Sequence, residues 1–448
     1  MIPPATRQSV ADVAAALDLA VVGRELYDRI GRLYPICRSI TGNGVRETLR
    51  LLGSELDLEI REVATGTPVF DWIVPREWNI RDAYIMNGNG QRVVDFNASN
   101  LHVVSYSVPV RARLTLAELR PHLFSIPDHP DWIPYKTSYY SETWGFCLSD
   151  RQLQSLPDGE YEVCIDSSLE DGHLTLGECC LRGRDTAEVF ISCHVCHPSL
   201  CNDNLSGVSV AVTLATLLRR VPLRYTYRFL FAPGTIGAIT WLALNEPHVP
   251  KIKHGLVLAC LGDRGSPTYK RSRRGDAAID RTVAHVFRHA SHECHSEDFA
   301  PHGYDERQYC SPGFNLPVGV LSRTPHGRFP EYHTSADDLA FVAPAALADS
   351  LRTCLKVIEV LEGNGMFLNK NPKCEPQLGR RGLYATLGGH SDERRTQEAA
   401  LLWVLNLSDG THSLLDIAER STMPFAMVRD AATALVEHGL LEELSAPD

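Results

Sequence analysis

The chain has 448 residues, with 44 lysines and arginines against 55 acidic residues, and 44% of it is hydrophobic. That length holds about three domains and a core large enough to stay folded without disulfides or metal. The net charge of −11 opposes any dominant attraction to nucleic acid or anionic lipid, and a mean hydropathy of −0.15 excludes disordered and fibrous classes.

No apolar run approaches the ~20 residues of a membrane helix, and the opening stretch MIPPATRQSVADVAAALDLA has no signal-peptide pattern. Thirteen cysteines, an odd number spread thinly, point to reduced thiols and a cytoplasmic enzyme. Residues 17–56 read as helical, with apolar positions at Leu17, Val21, Leu26, Ile30 and Leu33, broken by loop chemistry at Ser39–Gly44. From 64 to 155, aromatics, prolines and short alternating runs (VFDWIVP, AYIMNG, RVVDF) predict a β-rich module. From about 160, strand-like runs (YEVCID, HLTLGECC, EVFISCHV, YRFLFAP, HGLVLACLGD, PVGVLSRT) alternate with helical stretches at 205–220, 235–246, 279–291 and 343–362. This alternation predicts an α/β domain with a largely parallel sheet. After a polar stretch near 370, helical patterns at 396–407, 413–420 and 424–439 have the look of a winged helix-turn-helix. Residues 401–448 carry two arginines against eight acidic residues, so DNA binding is not expected of this module. It reads instead as a docking or dimerising module, and a homo-oligomer is expected.

The densest chemistry lies in FISCHVCHPSLCNDNLSGVSV at 190–210. An apolar strand ends in His194 and His197, Asp203 follows, and Asn204-Leu205-Ser206-Gly207 opens a helix. Imidazoles and a carboxylate at the C-terminal edge of a parallel sheet suit both an α/β active site and zinc. Cys193-x-x-Cys196-His197 also matches a haem-attachment string, but that needs an export route the N-terminus does not show. A zinc ribbon would need a second CxxC, which is absent. Buried thiols with strand-end histidines and no metal are the bland alternative. A later strand delivers Asp263, which taken alone suits a loop or cap better than a ligand. His333 stands in Glu331-Tyr332-His333-Thr334.

The order of His197, Asp203, Asp263 and His333 resembles the zinc peptidases that include aminopeptidase Y, glutamate carboxypeptidase and glutaminyl cyclase. Asp203-Asn204-Leu205-Ser206-Gly207 and Tyr332-His333-Thr334 match their strings closely. Over nearly the whole chain the sequence also resembles bacterial aminopeptidase-like domain proteins of uncharacterised function, often encoded with polysaccharide or natural-product pathways. The strings that carry this are CRSITGNGVRETL, FDWIVPREWNIRDAYI, TSYYSETWGFCLS, SCHVCHPSLCNDNLSG, YDERQYCSPG and EYHTSADDL. The resemblance implies a zinc-aminopeptidase-like α/β fold with a mixed sheet flanked by helices. The core spans 1–63 and 156–370, a β-rich domain is inserted at 64–155, and a winged helix follows at 375–448. It also implies zinc held by His197, Asp203, Asp263 and His333, with His194 outside the ligand set.

One departure bears on mechanism. The peptidases place two adjacent glutamates, general base then metal ligand, where this chain reads Pro233-Gly234-Thr235-Ile236-Gly237-Ala238; the nearer relatives resemble Pro-Glu-Thr-Ile-Gly-Ser there. Glu306, between Asp305 and Arg307, could replace the lost base, and Arg307 could grip a substrate carboxylate; an internal Glu–Arg pair is the plainer reading. The basic run Lys270–Arg274 reads as a solvated loop or as a lure for an anionic substrate. The expected function is a zinc-dependent amide hydrolase acting on a small peptide or aminoacyl conjugate, with no membrane or DNA partner. The alternatives are a non-hydrolytic single-zinc transferase or cyclase, and a catalytically impaired binding or scaffold protein.

Overall fold

The computed structural model describes residues 8–384 and 392–444. The first seven residues of the stretch read for a leader, and Asp448 of the acidic tally, lie outside these. The chain divides into two compact units, one of Met1–Asp280 with Glu293–Thr353, the other of Arg281–His292 with Cys354–Asp448. Among the described residues, no helix is long and apolar enough to cross a membrane. All thirteen cysteines are free thiols.

The first unit is built on an eight-stranded mixed sheet. Its centre is four parallel strands in the order Thr226–Ala232, Glu188–His194, Ile252–Leu258 and Val318–Ser322. Glu188–His194 is buried along its whole length, as a strand covered on both faces must be. Antiparallel strands flank this centre, with His173–Leu181 and Glu59–Ala64 on one side and Thr268–Lys270 on the other, so the expected largely parallel sheet is a mixed one.

The helix Leu19–Leu33 starts later than its apolar pattern implies, because Asp18 caps it through the N–H groups of Ala20 and Val21. Its buried stripe is Val22, Leu26, Ile30 and Leu33, and Val21 faces solvent. The helix Gly207–Leu218 is apolar all round and almost wholly buried. Its first residue must be glycine, since a Cβ there would stand 2.3 Å from the Leu258 carbonyl oxygen.

The β-rich segment forms its own four-stranded sheet in the order Arg92–Asp95, Glu77–Asn87, Glu160–Glu170, Val110–Thr115. Its core includes Ala83, Ile85, Val94, Val163 and Ile165. Glu160–Glu170 was expected in the α/β core. It pairs with the inserted strands because its alternate buried residues complete their apolar face.

The second unit holds the helices Asp392–Leu407, Leu414–Ser421 and Phe425–Glu437, and a three-stranded sheet of Met366–Asn369, Asp409–Ser413 and Leu441–Glu443. This is a winged helix-turn-helix arrangement, as the helical patterns predicted.

Stability of the first unit carries a titration near the start of the strand Ile252–Leu258. His254, 8% exposed, has an unpartnered buried Nδ1. Burial, with Arg224 and Lys253 adding repulsion, pushes its pKa down to about 4. A depressed pKa means that the unfolded chain takes up the proton first, so stability present above pH ~6.5 is lost as pH falls towards 4. Against His254→Phe, the wild type should lose up to about 3 kcal/mol across that window, measured by denaturant unfolding at stepped pH. A pH-independent difference between the two proteins would refute this.

Candidate metal centre

Three parallel strands deliver side chains to one C-terminal edge, where α/β sheets place their sites. The strand Glu188–His194 ends in His194, the turn after Thr226–Ala232 carries Gly234 and Thr235, and Ile252–Leu258 runs on to Cys260. The buried turn Cys201–Ser206 crosses this edge with non-helical backbone at Asp203 and Asn204, whose peptide bond is cis.

Asp203 is fully buried and three imidazoles converge on it. His194 Nε2 lies 2.8 Å from Oδ1, while His197 Nδ1 lies 3.1 Å and His333 Nε2 3.0 Å from Oδ2. The ligand atoms of His194, His197 and Asp203 all fall within 4.8 Å of one another, so this group could hold a metal ion. The donor set, two imidazoles and one carboxylate with His333 a third exposed beside them, is the chemistry zinc takes with an open position. Burial raises the Asp203 carboxyl, but His197 and His194 outweigh it and hold the pKa well below the usual range. Burial likewise lowers His194, yet Asp203 draws its pKa above the ordinary value, and His197 behaves the same way with Cys196 and Asp203 beside it.

The rest of the Asp-Asn-Leu-Ser-Gly string docks this turn. The Asn204 amide donates to the Leu258 carbonyl (2.9 Å) and accepts from Cys260 N–H (3.2 Å). Ser206 Oγ donates to the Asn202 carbonyl (2.6 Å) and accepts from Leu261 N–H (2.8 Å). Asp337 accepts from the N–H groups of Asn202 (2.6 Å) and Asp203 (2.9 Å), and its own pKa is raised by burial to about 7. Asp337→Ala would leave those buried donors unpaired at about 1–3 kcal/mol each. Zinc affinity should fall roughly 10–100-fold in competition with a chromophoric chelator, the usual cost of losing a ligand's supporting bond. Unchanged affinity would show that Asp203 needs no such support.

The predicted residues divide. Asp203, His197 and His333 meet, and His194, expected to stay outside, joins them. Asp263 does not. Its oxygens accept from Asn202 Nδ2 (3.1 Å), Gly265 N–H (2.7 Å) and the Thr324 hydroxyl (2.7 Å), which makes it the loop-ordering residue of the plainer reading.

Glu306 does not face the imidazoles either. Its carboxylate is buried and ion-paired with Lys270, whose Nζ also donates to the His302 carbonyl (2.7 Å). The basic run is thus neither free nor wholly solvated, for Arg273 and Arg274 donate to Asn315 (3.0 and 2.8 Å).

The neighbour Asp305 is the carboxylate near the centre. It is 3% exposed and accepts the Thr235 N–H at 2.7 Å. Burial raises its pKa, with His194, that N–H, Arg307 and His197 pulling it down. Arg307 Nη2 donates to Thr235 Oγ1 (3.3 Å), its Nε is buried and unpartnered, and among the described residues it forms no ion pair.

Aromatic rings wall the centre. Tyr332 stacks on His333 at 4.0 Å, and Tyr304 lies parallel to His194 at 5.7 Å. Tyr135, from the inserted segment, sets its edge against His197 (5.3 Å) and His333 (5.1 Å), and its N–H donates to the His333 carbonyl (2.8 Å). Tyr304, Asp305 and Asp337 lie within or beside motifs already noted, but nothing in the sequence marked Tyr135.

Residues 27–364 match the family described as "Domain of unknown function (DUF4910)", and residues 365–443 match a winged helix-turn-helix family. The chain belongs to the DUF4910 family. A Clostridium acetobutylicum protein, named for polysaccharide biosynthesis and an aminopeptidase-like domain, is 54% identical over 420 residues, 94% of this DUF4910 chain and 96% of that protein. A C. acetobutylicum crystal structure described as a peptidase is 51% identical with a TM-score of 0.91, covering 95% of this chain and 98% of its own. A zinc aminopeptidase from Bacillus subtilis, BSAP, is 13% identical with a TM-score of 0.55, covering 75% and 94%, and so shares the fold. The DUF4910 chain therefore has an aminopeptidase-like fold with a C-terminal winged helix.

Proposed function

We propose that this protein is a cytoplasmic, zinc-dependent hydrolase of an amide bond in a small peptide or aminoacyl conjugate, serving polysaccharide or natural-product synthesis. The convergence of three imidazole nitrogens on buried Asp203, at the catalytic edge of an aminopeptidase-like sheet, supports this reading best. The biosynthetic context comes from the name of the C. acetobutylicum relative.

In this reading His194, His197 and Asp203 hold zinc, and His333 bonds the second oxygen of Asp203 beside them. Zinc, when bound, supplies Lewis acidity that polarises a carbonyl and acidifies water. Asp305 takes the proton-handling role expected of Glu306. Its carboxylate is desolvated, and a raised pKa suits a group that must both accept and return a proton. Arg307, with no carboxylate partner among the described residues, binds an anionic group of the substrate. Tyr135 and Tyr332 exclude water from the imidazoles they cover.

Gly234 favours a second reading, non-hydrolytic chemistry on the same centre, in which the substrate's own amine acts as base. Elemental analysis combined with hydrolysis of an aminoacyl-amide panel separates the readings. Zinc with turnover supports the first, zinc without turnover the second, and neither leaves a binding protein.

We further propose that the winged helix serves homo-oligomeric assembly. The one arginine of its helix Phe425–Glu437, Arg429, is ion-paired with Glu359 and with Asp430 (2.8 Å), which leaves no free cation on that helix for phosphate. Salt-sensitive binding of the full-length protein to duplex DNA would overturn this.

A further inference from the structure

We propose that Cys260 is a thiolate ligand of the metal held by His194, His197 and Asp203. This rests on the metal centre proposed above and is independent of whether the protein hydrolyses amides.

The Cys260 sulfur lies 3.9 Å from Asp203 Oδ1, the oxygen that faces His194 at 2.8 Å. A tetrahedral zinc with its usual bond lengths of about 2.3 Å to sulfur and about 2.0 Å to oxygen holds those two donors about 3.5 Å apart. The observed gap is slightly wider, and the sulfur stands outside the group of ligand atoms that lie within 4.8 Å of one another, so on binding the Cys260 side chain moves in towards the imidazoles. The strand Ile252–Leu258 was expected to serve the metal through Asp263, but that carboxylate is consumed by its own loop. The donor this strand end offers to the centre is sulfur.

The backbone supports the assignment. Cys260 has a φ of +52°, in the left-handed region that costs an L-residue roughly 1–2 kcal/mol. Asn204, next to Asp203, holds it there by accepting its N–H at 3.2 Å. Strain of this kind gathers where a side chain must be aimed, and Thr235 and His333 around the same centre also have positive φ.

A supporting hydroxyl is in place as well. Tyr304 Oη is 3.1 Å from the sulfur and already accepts the His326 N–H at 3.2 Å, so its own hydrogen is free to point at a thiolate. On metal binding the S–H bond breaks, the proton leaves to solvent and the S–metal bond forms. Asp203 and the thiolate together then neutralise a divalent cation in a fully buried position. A sulfur donor also biases the centre towards zinc or cobalt over magnesium or manganese.

The test is the absorption spectrum of reduced, full-length protein loaded with cobalt(II). Visible ligand-field bands report binding, and an intense near-ultraviolet sulfur-to-cobalt charge-transfer band reports a thiolate ligand. Cys260→Ser and Cys260→Asp should keep the visible bands and lose the near-ultraviolet one; the aspartate variant decides the matter if serine impairs folding. Cys196→Ser, whose sulfur accepts the Gly234 N–H at 3.1 Å, should keep both. Visible bands without charge transfer in the wild type would overturn the ligand while leaving the metal centre standing. So would a charge-transfer band that survives in Cys260→Asp or disappears in Cys196→Ser. No cobalt bands at all would overturn the metal centre, and the ligand with it.

Discussion

Asp203→Ala should leave the protein without metal. Both carboxylate oxygens are committed, Oδ1 to His194 and Oδ2 to His197 and His333, and no other carboxylate among the described residues has three imidazoles on it. Removing it deletes the carboxylate donor and leaves the imidazoles facing one another without the carboxylate they are paired with, a loss of about 3–5 kcal/mol when one partner of a buried pair is cut away. Zinc content after dialysis should fall from about one equivalent, the capacity of a single site, to background. Asp203→Asn keeps the shape and should fail almost as badly, which separates the charge from the packing. His194→Ala should cost at least as much occupancy as His197→Ala, because His194 is 4% exposed and bonded at the shorter distance. Elemental analysis of the four variants gives the order. A full equivalent of zinc in Asp203→Ala would remove the basis of the centre.

Much of this centre was legible in the chain. The apolar run into His194, the turn with Asp203 and the Tyr-His-Thr string each carry a local signal, and the alternation of strands and helices places them on one sheet edge. What misled was proximity along the chain. Asp263 follows a strand as a ligand would, yet whether a carboxylate is free depends on partners 61 residues away in both directions, Asn202 and Thr324. Glu306 and Asp305 are neighbours, and the first turn of the short helix Glu306–Tyr309 decides which one faces Thr235 and which one faces Lys270. The sequence cannot express that choice, because Lys270 comes from a different strand. Tyr135 was invisible for a similar reason. It belongs to an insertion with no motif of its own and reaches the centre through the pairing of residues 133–135 with 333–335. The strand Glu160–Glu170 was misassigned because its partners, Glu77–Asn87 and Val110–Thr115, precede it by 45 residues or more.

Gly234→Glu should raise hydrolysis of aminoacyl amides, and the structure removes the main objection to trying it. Gly234 is not among the residues with positive φ, so an L-side chain meets no backbone penalty there. A Cβ at this position would lie 3.2 Å from Cys196 Sγ and 3.5 Å from His194 Cβ, close enough to start a carboxylate beside the centre with a slight shift of the sulfur. In the proposed reading the natural chain uses Asp305 instead, which accepts the Thr235 N–H beside this position. A well-placed acid–base group contributes on the order of 10²–10⁴ in rate, so zinc-loaded wild type should turn over such amides slowly. Asp305→Asn should remove what remains without changing zinc content, and Gly234→Glu in that background should restore it. The restoration identifies a proton carrier, because a purely structural role for Asp305 would not be repaired from residue 234. If the wild type already cleaves these amides at enzyme-like rates and Asp305→Asn leaves them unchanged, the proton is carried elsewhere, and neither Gly234 nor Asp305 marks the base.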